Sequence, residues 1–163
     1  MRKIIQPCGF HCIKINNLGV SFGEQTVLED VNMHIHCGSF NVIIGQNGAG
    51  KSTLIKAILG EIPHTGTIEF KDTKDGHMAK LKIGYVPQKA VLFMGTVTSN
   101  VAYGDNGKAP ATEEDVKRAV EIAQGKDFVE KMDGAYNEEI AQGGTNVSGG
   151  QKQRLSIARA VCR

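Results

Sequence analysis

Between Ile13 and Phe22 the apolar residues Ile13, Ile15, Leu18, Val20 and Phe22 come close to alternating with polar ones, and Val31, Met33 and Ile35 alternate again after the turn-forming stretch FGEQT. A period of two places one set of side chains on one face, so both stretches are expected to be half-buried strands, joined by a short connection as an antiparallel edge. FNVIIG, over residues 40–45, is different: a continuous apolar run rich in β-branched residues predicts a strand buried on both faces. Leu54, Ile55, Ile58 and Leu59 then form a helical stripe, with Gly60 placed to end the helix. HTGTIEF and LKIGYVPQ are two further strand candidates, the second stopped by Pro87. From Thr112 the pattern becomes helical, with Thr112 as N-cap, Asp115 three residues on, and Val116, Ala119, Val120 and Ala123 on one face. A short helix is expected over Asp127 to Met132, and a last one from Ser148.

A chain of 163 residues suits one domain with a real core. A formal charge of +2, without runs of like charge, gives no reason to expect a nucleic-acid partner. No apolar stretch approaches the ~20 residues of a membrane span, and the N-terminus lacks the apolar core of a signal peptide. The expectation is therefore a cytosolic chain in which Cys8, Cys12, Cys37 and Cys162 are reduced thiols. The 20 glycines exceed the usual share of about 7%, so they call for a local explanation.

One explanation is Gly45-Gln46-Asn47-Gly48-Ala49-Gly50-Lys51-Ser52, followed by Thr53, which matches GxxxxGKS between an expected strand and an expected helix. Glycines let the backbone turn its N–H groups inward around phosphate oxygens, with the positive end of the helix behind them. Lys51 adds a cation for the outer phosphates, and the Ser52 hydroxyl can hold a Mg²⁺ that bridges them. A purine nucleoside triphosphate is the ligand this pattern predicts.

VSGGQ, at residues 147–151, has its own logic. Ser148 and Gln151 are spaced as a capping box, while Gly149 and Gly150 carry no side chain to block a ligand approaching the helix end. A purely structural, well-capped helix start is the alternative for this stretch alone.

Taken together and in this order, the P-loop, Gln88 in YVPQ and VSGGQKQRLSIARA resemble the nucleotide-binding subunit or domain of an ABC transporter, from about Ile13 onward. The resemblance implies an α/β P-loop ATPase with a parallel-sheet core, an antiparallel β subdomain and a helical subdomain over about residues 89–141. Residues 1–12 are then a flexible leader, and 13–163 an incomplete domain. It also implies ATP and Mg²⁺ as cofactors, transmembrane permease subunits or domains as partners, and a head-to-tail dimer with a second ATPase domain. The expected location is peripheral, on the cytosolic face of the cell membrane. Phe22 matches the aromatic residue that stacks on adenine. Gln88 matches the glutamine that touches Mg²⁺ or the attacking water, so Ser52 and Gln88 are the expected metal contacts. Ser148, Gly149, Gly150 and Gln151 match the signature that reaches the γ-phosphate bound by the opposite protomer.

Members of the family continue from this helix into a strand ending in Asp, followed by a catalytic Glu, a D-loop and a switch His. None of these can be assigned among the 163 residues. The segment alone is therefore expected to lack its C-terminal strands, to be marginal or prone to aggregate, and to bind nucleotide weakly without hydrolysing it. A non-catalytic remnant and a soluble ABC-type ATPase without a transport role are the alternatives. The first part, with GVSFGEQTVLEDV, resembles the ATPase subunit of a metal-ion importer, whereas the sequence from Gln88 onward resembles a multidrug or lipid exporter. Finally, CGFHC groups Cys8, His11 and Cys12 as candidate zinc ligands, and HIHC adds His34, His36 and Cys37.

Overall fold

The computed structural model describes residues 11–36, 39–72, 83–104 and 109–162, apart from the side chains of His11, Lys71 and Asp72. The chain forms two compact units that divide between Ile83 and Gly84.

The first unit is built on a three-stranded antiparallel sheet. Strands β1 (His11–Phe22) and β2 (Gln25–His36) form a hairpin around a two-residue turn, in which Gly23 takes a φ of 60° as tight hairpin turns require. Strand β3 (Thr65–Asp72) pairs with the other edge of β1, giving the order β2-β1-β3. The β1–β2 register shifts between Ile15 and Leu18, near Asn17 and Asp30, which both take left-handed conformations. A side-chain network fixes this bulge: Asn17 Nδ2 donates to Asp30 Oδ1 at 2.7 Å, and Asn32 Oδ1 accepts from the Asn17 amide at 2.9 Å.

Helix α1 (Lys51–Ile58) packs Leu54 and Ala57 against Ile15, Leu18 and Val20 of the sheet. The buried stripe therefore centres on Leu54 and Ala57, while Ile55 and Leu59 are half-buried. Gly60, at φ 74°, ends the helix as expected: its amide donates to Ala57 O and the Glu61 amide to Lys56 O, the paired bonds of a Schellman motif.

Two expected strands are absent from the described residues. Residues 39–46, which include FNVIIG, and residues 83–87 of LKIGYVPQ carry no regular secondary structure, and Leu81 and Lys82 lie outside the described residues. The reason is pairing. A strand buried on both faces exists only with hydrogen-bonded neighbours, and both sheets among the described residues are antiparallel ladders made by other segments. Without a ladder the apolar run stays exposed, Phe40 by 94% and Ile44 by 89%. The parallel core expected from the sequence is thus not formed as a sheet among these residues.

The second unit is mainly helical. A two-residue strand pair, β4 (Gly95–Thr96) and β5 (Glu139–Ile140), accompanies α2 (Val97–Val101), α3 (Glu113–Ile122), α4 (Lys126–Val129) and α5 (Gly149–Val161). Its core joins Val97 and Val101 of α2, Val116, Ala119 and Val120 of α3, and Leu155 and Ala158 of α5 around Leu92 and Ile140. Thr112 caps α3 in a full capping box with Asp115, as its spacing predicts. Helix α4 lies where the short helix over Asp127 to Met132 is expected, one residue early and shorter. Helix α5 shares this core, so the compact unit is larger than the expected helical subdomain of about residues 89–141.

Candidate nucleotide-binding site

The P-loop runs from Gly45 into α1 on an exposed stretch of backbone that ends at the buried Gly50. Gly48 and Gly50 take φ values of 84° and 81°, in the left-handed region that glycine occupies without penalty. At Gly50 space is also a constraint: a Cβ there would stand 2.7 Å from Leu28 Cδ2 and 3.2 Å from Val27 O, because the turn rests directly on β2. The amide of Ala49 donates to Gln46 O at 3.2 Å, closing the loop on itself.

Helix α1 begins at Lys51 with no side-chain cap and no acidic residue in its first turn. Its first N–H groups and the positive end of its dipole are therefore available to an anion. Lys51 Nζ donates to Gly45 O at 2.8 Å and to Gln46 O at 2.6 Å, which holds the ammonium over the loop. Ser52 is exposed and Thr53 half-buried in the same turn. This donor set fits a polyphosphate with a divalent cation: backbone N–H groups and Lys51 would meet the oxygens, and the Ser52 hydroxyl would be available to the metal.

Phe22 ends β1 beside the Gly23 turn and is 54% exposed. The apolar alternation of β1 suggests a core position for it, but the core residues of this strand are Ile15, Leu18 and Val20. Its ring is thus free of the core and presents an open aromatic face.

Gln88 belongs to the second unit, exposed in a bend just after Pro87. The signature residues lie in the same unit, at the start of α5. Gln151 Oε1 accepts from the Ser148 amide at 2.8 Å, and Ser148 Oγ accepts from the Gln151 amide at 3.3 Å, so the capping box is complete. A Cβ at Gly149 or Gly150 would meet nothing within 4 Å. Neither glycine takes a positive φ, so nothing in the packing of this chain demands glycine at either place. The loop before Ser148 is held by Asn146, whose Nδ2 donates to Glu139 O at 2.7 Å and whose Oδ1 accepts from the Ala141 amide at 2.9 Å.

Of the expected zinc ligands, Cys8 and the His11 side chain lie outside the described residues. Cys12 is a buried free thiol. The rings of His34 and His36, two residues apart on β2, lie 4.0 Å apart between centroids and are tilted by 43°. Among the described residues no group of three or more His, Cys, Asp or Glu side chains could hold a metal ion.

The motifs and periodicities of the sequence do not single out the polar cluster of Asn100 and Arg159. Asn100 is 2% exposed, on the same side of α2 as Val97 and Val101, and it bonds to the backbone of Phe93 and to Arg159. A lone amide three residues after one core valine and beside another was the legible sign.

Comparison with known proteins bears on these positions. A family model described as ABC transporter matches residues 28–163. The chain is 40% identical over 145 residues to the mesentericin Y105 transport/processing ATP-binding protein of Leuconostoc mesenteroides, covering 86% of this chain and 20% of that protein. It is 34% identical over 154 residues to an ATP-dependent lipid A-core flippase of Desulfotalea psychrophila, covering 91% of this chain and 26% of the flippase. Among solved structures, a bacterial Atm1-family ABC exporter with ATP bound matches with a TM-score of 0.79 and 28% identity, over 98% of this chain and 29% of the exporter chain. The likeness to these proteins covers 86 to 98% of this chain, so it extends through most of the first part as well as the second. The chain spans about a fifth to a quarter of the length of these two curated relatives.

Proposed function

This chain belongs to the ABC transporter family, and from that premise we propose that its 163 residues are an ATP-binding part of such a transporter. In this proposal Gly45 to Thr53 cradle the triphosphate, Phe22 stacks on the adenine, and Ser52 and Gln88 contact Mg²⁺. Ser148 to Gln151 serve a second ATP, held by the P-loop of another ATPase domain in a head-to-tail dimer. Closure of that dimer on ATP drives transport through permease partners at the cytosolic face of the membrane. Among the described residues no helix is long and apolar enough to cross a membrane. Hydrolysis needs a carboxylate to orient water and another to help hold the metal. Neither can be assigned in this sequence by motif, so the proposed activity of the 163 residues alone is binding without turnover.

The observation that carries the proposal is the start of α1. It is uncapped, free of acidic residues in its first turn, and overlaid by Lys51 on two loop carbonyls. The open Gly149–Gly150 pair supports the second half, because a glycine that the chain's own packing does not need is explained by close approach of something else. Titration calorimetry with Mg-ATP tests the first half. Lys51→Ala should weaken binding about 100-fold, the worth of one charge-assisted phosphate contact of about 3 kcal/mol. Unchanged affinity would remove the P-loop assignment.

A further inference from the structure

Gln88 stands in a bend whose two flanks are both fastened to the last turns of α5. On the N-terminal flank, a Cβ on Gly84 would lie 2.8 Å from Ala160 O and 3.4 Å from Ala160 Cβ, so the backbone there runs against the helix with no space for a side chain. On the C-terminal flank, Arg159 Nη1 donates to Val91 O at 2.8 Å. Its Nε donates to Asn100 O at 2.8 Å and its Nη2 to Asn100 Oδ1 at 3.0 Å.

Asn100 completes the clamp. Its Oδ1 accepts from the Phe93 amide at 2.8 Å, and its Nδ2 donates to Phe93 O at 2.9 Å and Thr96 O at 3.0 Å. The guanidinium also lies over the rings of Phe93 and Tyr103, 4.9 and 5.6 Å from their centroids. A planar fork that meets three oxygens and two rings has a single arrangement, which a lysine cannot reproduce. Next to Val91 on the C-terminal flank, Leu92 is buried in the core, and its carbonyl accepts from the Gly143 amide at 3.2 Å, tying in the loop before the signature as well.

We propose that Arg159, with Asn100, is a positioning residue that fixes the Gln88 bend to α5. The place of the glutamine is then set by the helix that begins at the signature. A shift of α5 when its N-terminus engages a second ATP is passed through Arg159 to Gln88, without any change in the P-loop itself. The proposal rests on Gln88 as a contact to Mg²⁺ or its water, and the experiment separates the two.

Calorimetry of ATP binding to the 163-residue chain, once with Mg²⁺ and once in EDTA, gives the factor by which Mg²⁺ raises affinity. Gln88→Ala should lower that factor about fivefold, the worth of about one hydrogen bond. Arg159→Ala, Arg159→Lys and Gly84→Ala should each lower it by a similar amount, with affinity in EDTA held within about twofold. The double variant Gln88→Ala/Arg159→Ala should be no worse than Gln88→Ala, since both act through one contact. Circular dichroism checks folding, and if Arg159→Ala unfolds, Gly84→Ala on the opposite flank carries the test. A loss with Gln88→Ala, but none with folded Arg159 and Gly84 variants, overturns the positioning role. A factor unmoved by Gln88→Ala overturns the assignment of Gln88 itself, and the proposal with it.

Discussion

The helix starts at Lys51 and at Ser148 are both followed by free backbone N–H groups, yet they are closed in opposite ways. At α1 nothing caps the helix, and the approach is a loop of glycines held in left-handed conformations and wedged against β2. At α5 the chain caps itself through Ser148 and Gln151, while its two glycines are conformationally ordinary and open to solvent. The first arrangement leaves donors unsatisfied and waits for an anion, so its glycines are required by the fold. The second satisfies the Gln151 amide within the chain, and its glycines are not required by the chain's own packing. In the proposed function the same chemistry, N–H groups at the positive end of a helix, is offered once to the protomer's own nucleotide and once outward.

The two units also secure their functional segments differently, by backbone geometry in the first and by a side-chain network in the second. Asn100→Ala should have the largest effect on stability. It strands the Phe93 amide, the Phe93 carbonyl and part of Arg159, while Thr96 O keeps its bond from Ser99 Oγ, at a cost of about 3 to 4 kcal/mol, read as a lower urea midpoint. A cost below about 1 kcal/mol would mean that water replaces the amide and that the network is not what holds this unit together. Gly50→Ala comes next, at about 3 kcal/mol, because it combines a left-handed φ with the contacts to Leu28 and Val27. It should also abolish Mg-ATP binding, since the loop must move to admit the methyl group. A variant that unfolds as the parent does and still binds would show that the loop is soft, and would break the contrast between the two helix starts.

Much of this was legible before the fold was seen. The hairpin of β1 and β2, strand β3, the end of α1 and the capped starts of α3 and α5 follow from alternation, helical period and capping residues, which act within a few residues of one another. The failures came where the outcome depends on distant partners. FNVIIG has the composition of a central strand, but composition supplies no hydrogen-bonding neighbour, and Phe40 and Ile44 remain exposed. Phe22 fits the period of β1, yet it sits at the turn, beyond the reach of α1 on the sheet. Asn100 and Arg159 lie far apart in sequence, and although Arg159 falls within VSGGQKQRLSIARA nothing in that motif pairs it with Asn100, so only packing could bring them together.

Ser148→Ala tests the closure of α5 more gently. Loss of the side-chain oxygen that accepts from the Gln151 amide should cost about 1 kcal/mol, the usual worth of an N-cap. Backbone amide exchange should rise in the first turn of α5 and remain unchanged at Leu155 and Ala158, which the core holds. If exchange rises along the whole helix, the cap rather than the core is what keeps α5 folded.

The smallest effect is the most discriminating, because its sign is reversed. Gly150→Ala places a methyl group in open space, at a helical position where glycine is the poorer residue, so the chain should become more stable by about 0.5 kcal/mol. Gly50→Ala, the same substitution in the other loop, should destabilise it. The gain at Gly150 should come with loss of ATP-dependent association between protomers, followed by size-exclusion chromatography with light scattering, because the methyl group would lie where the proposed function brings the partner's nucleotide. A loss of stability at Gly150 would mean that some contact within the chain needs that glycine after all. A gain in stability with association intact would leave the glycine pair without a reason at the dimer interface, and the signature would then be a capped helix start and nothing more.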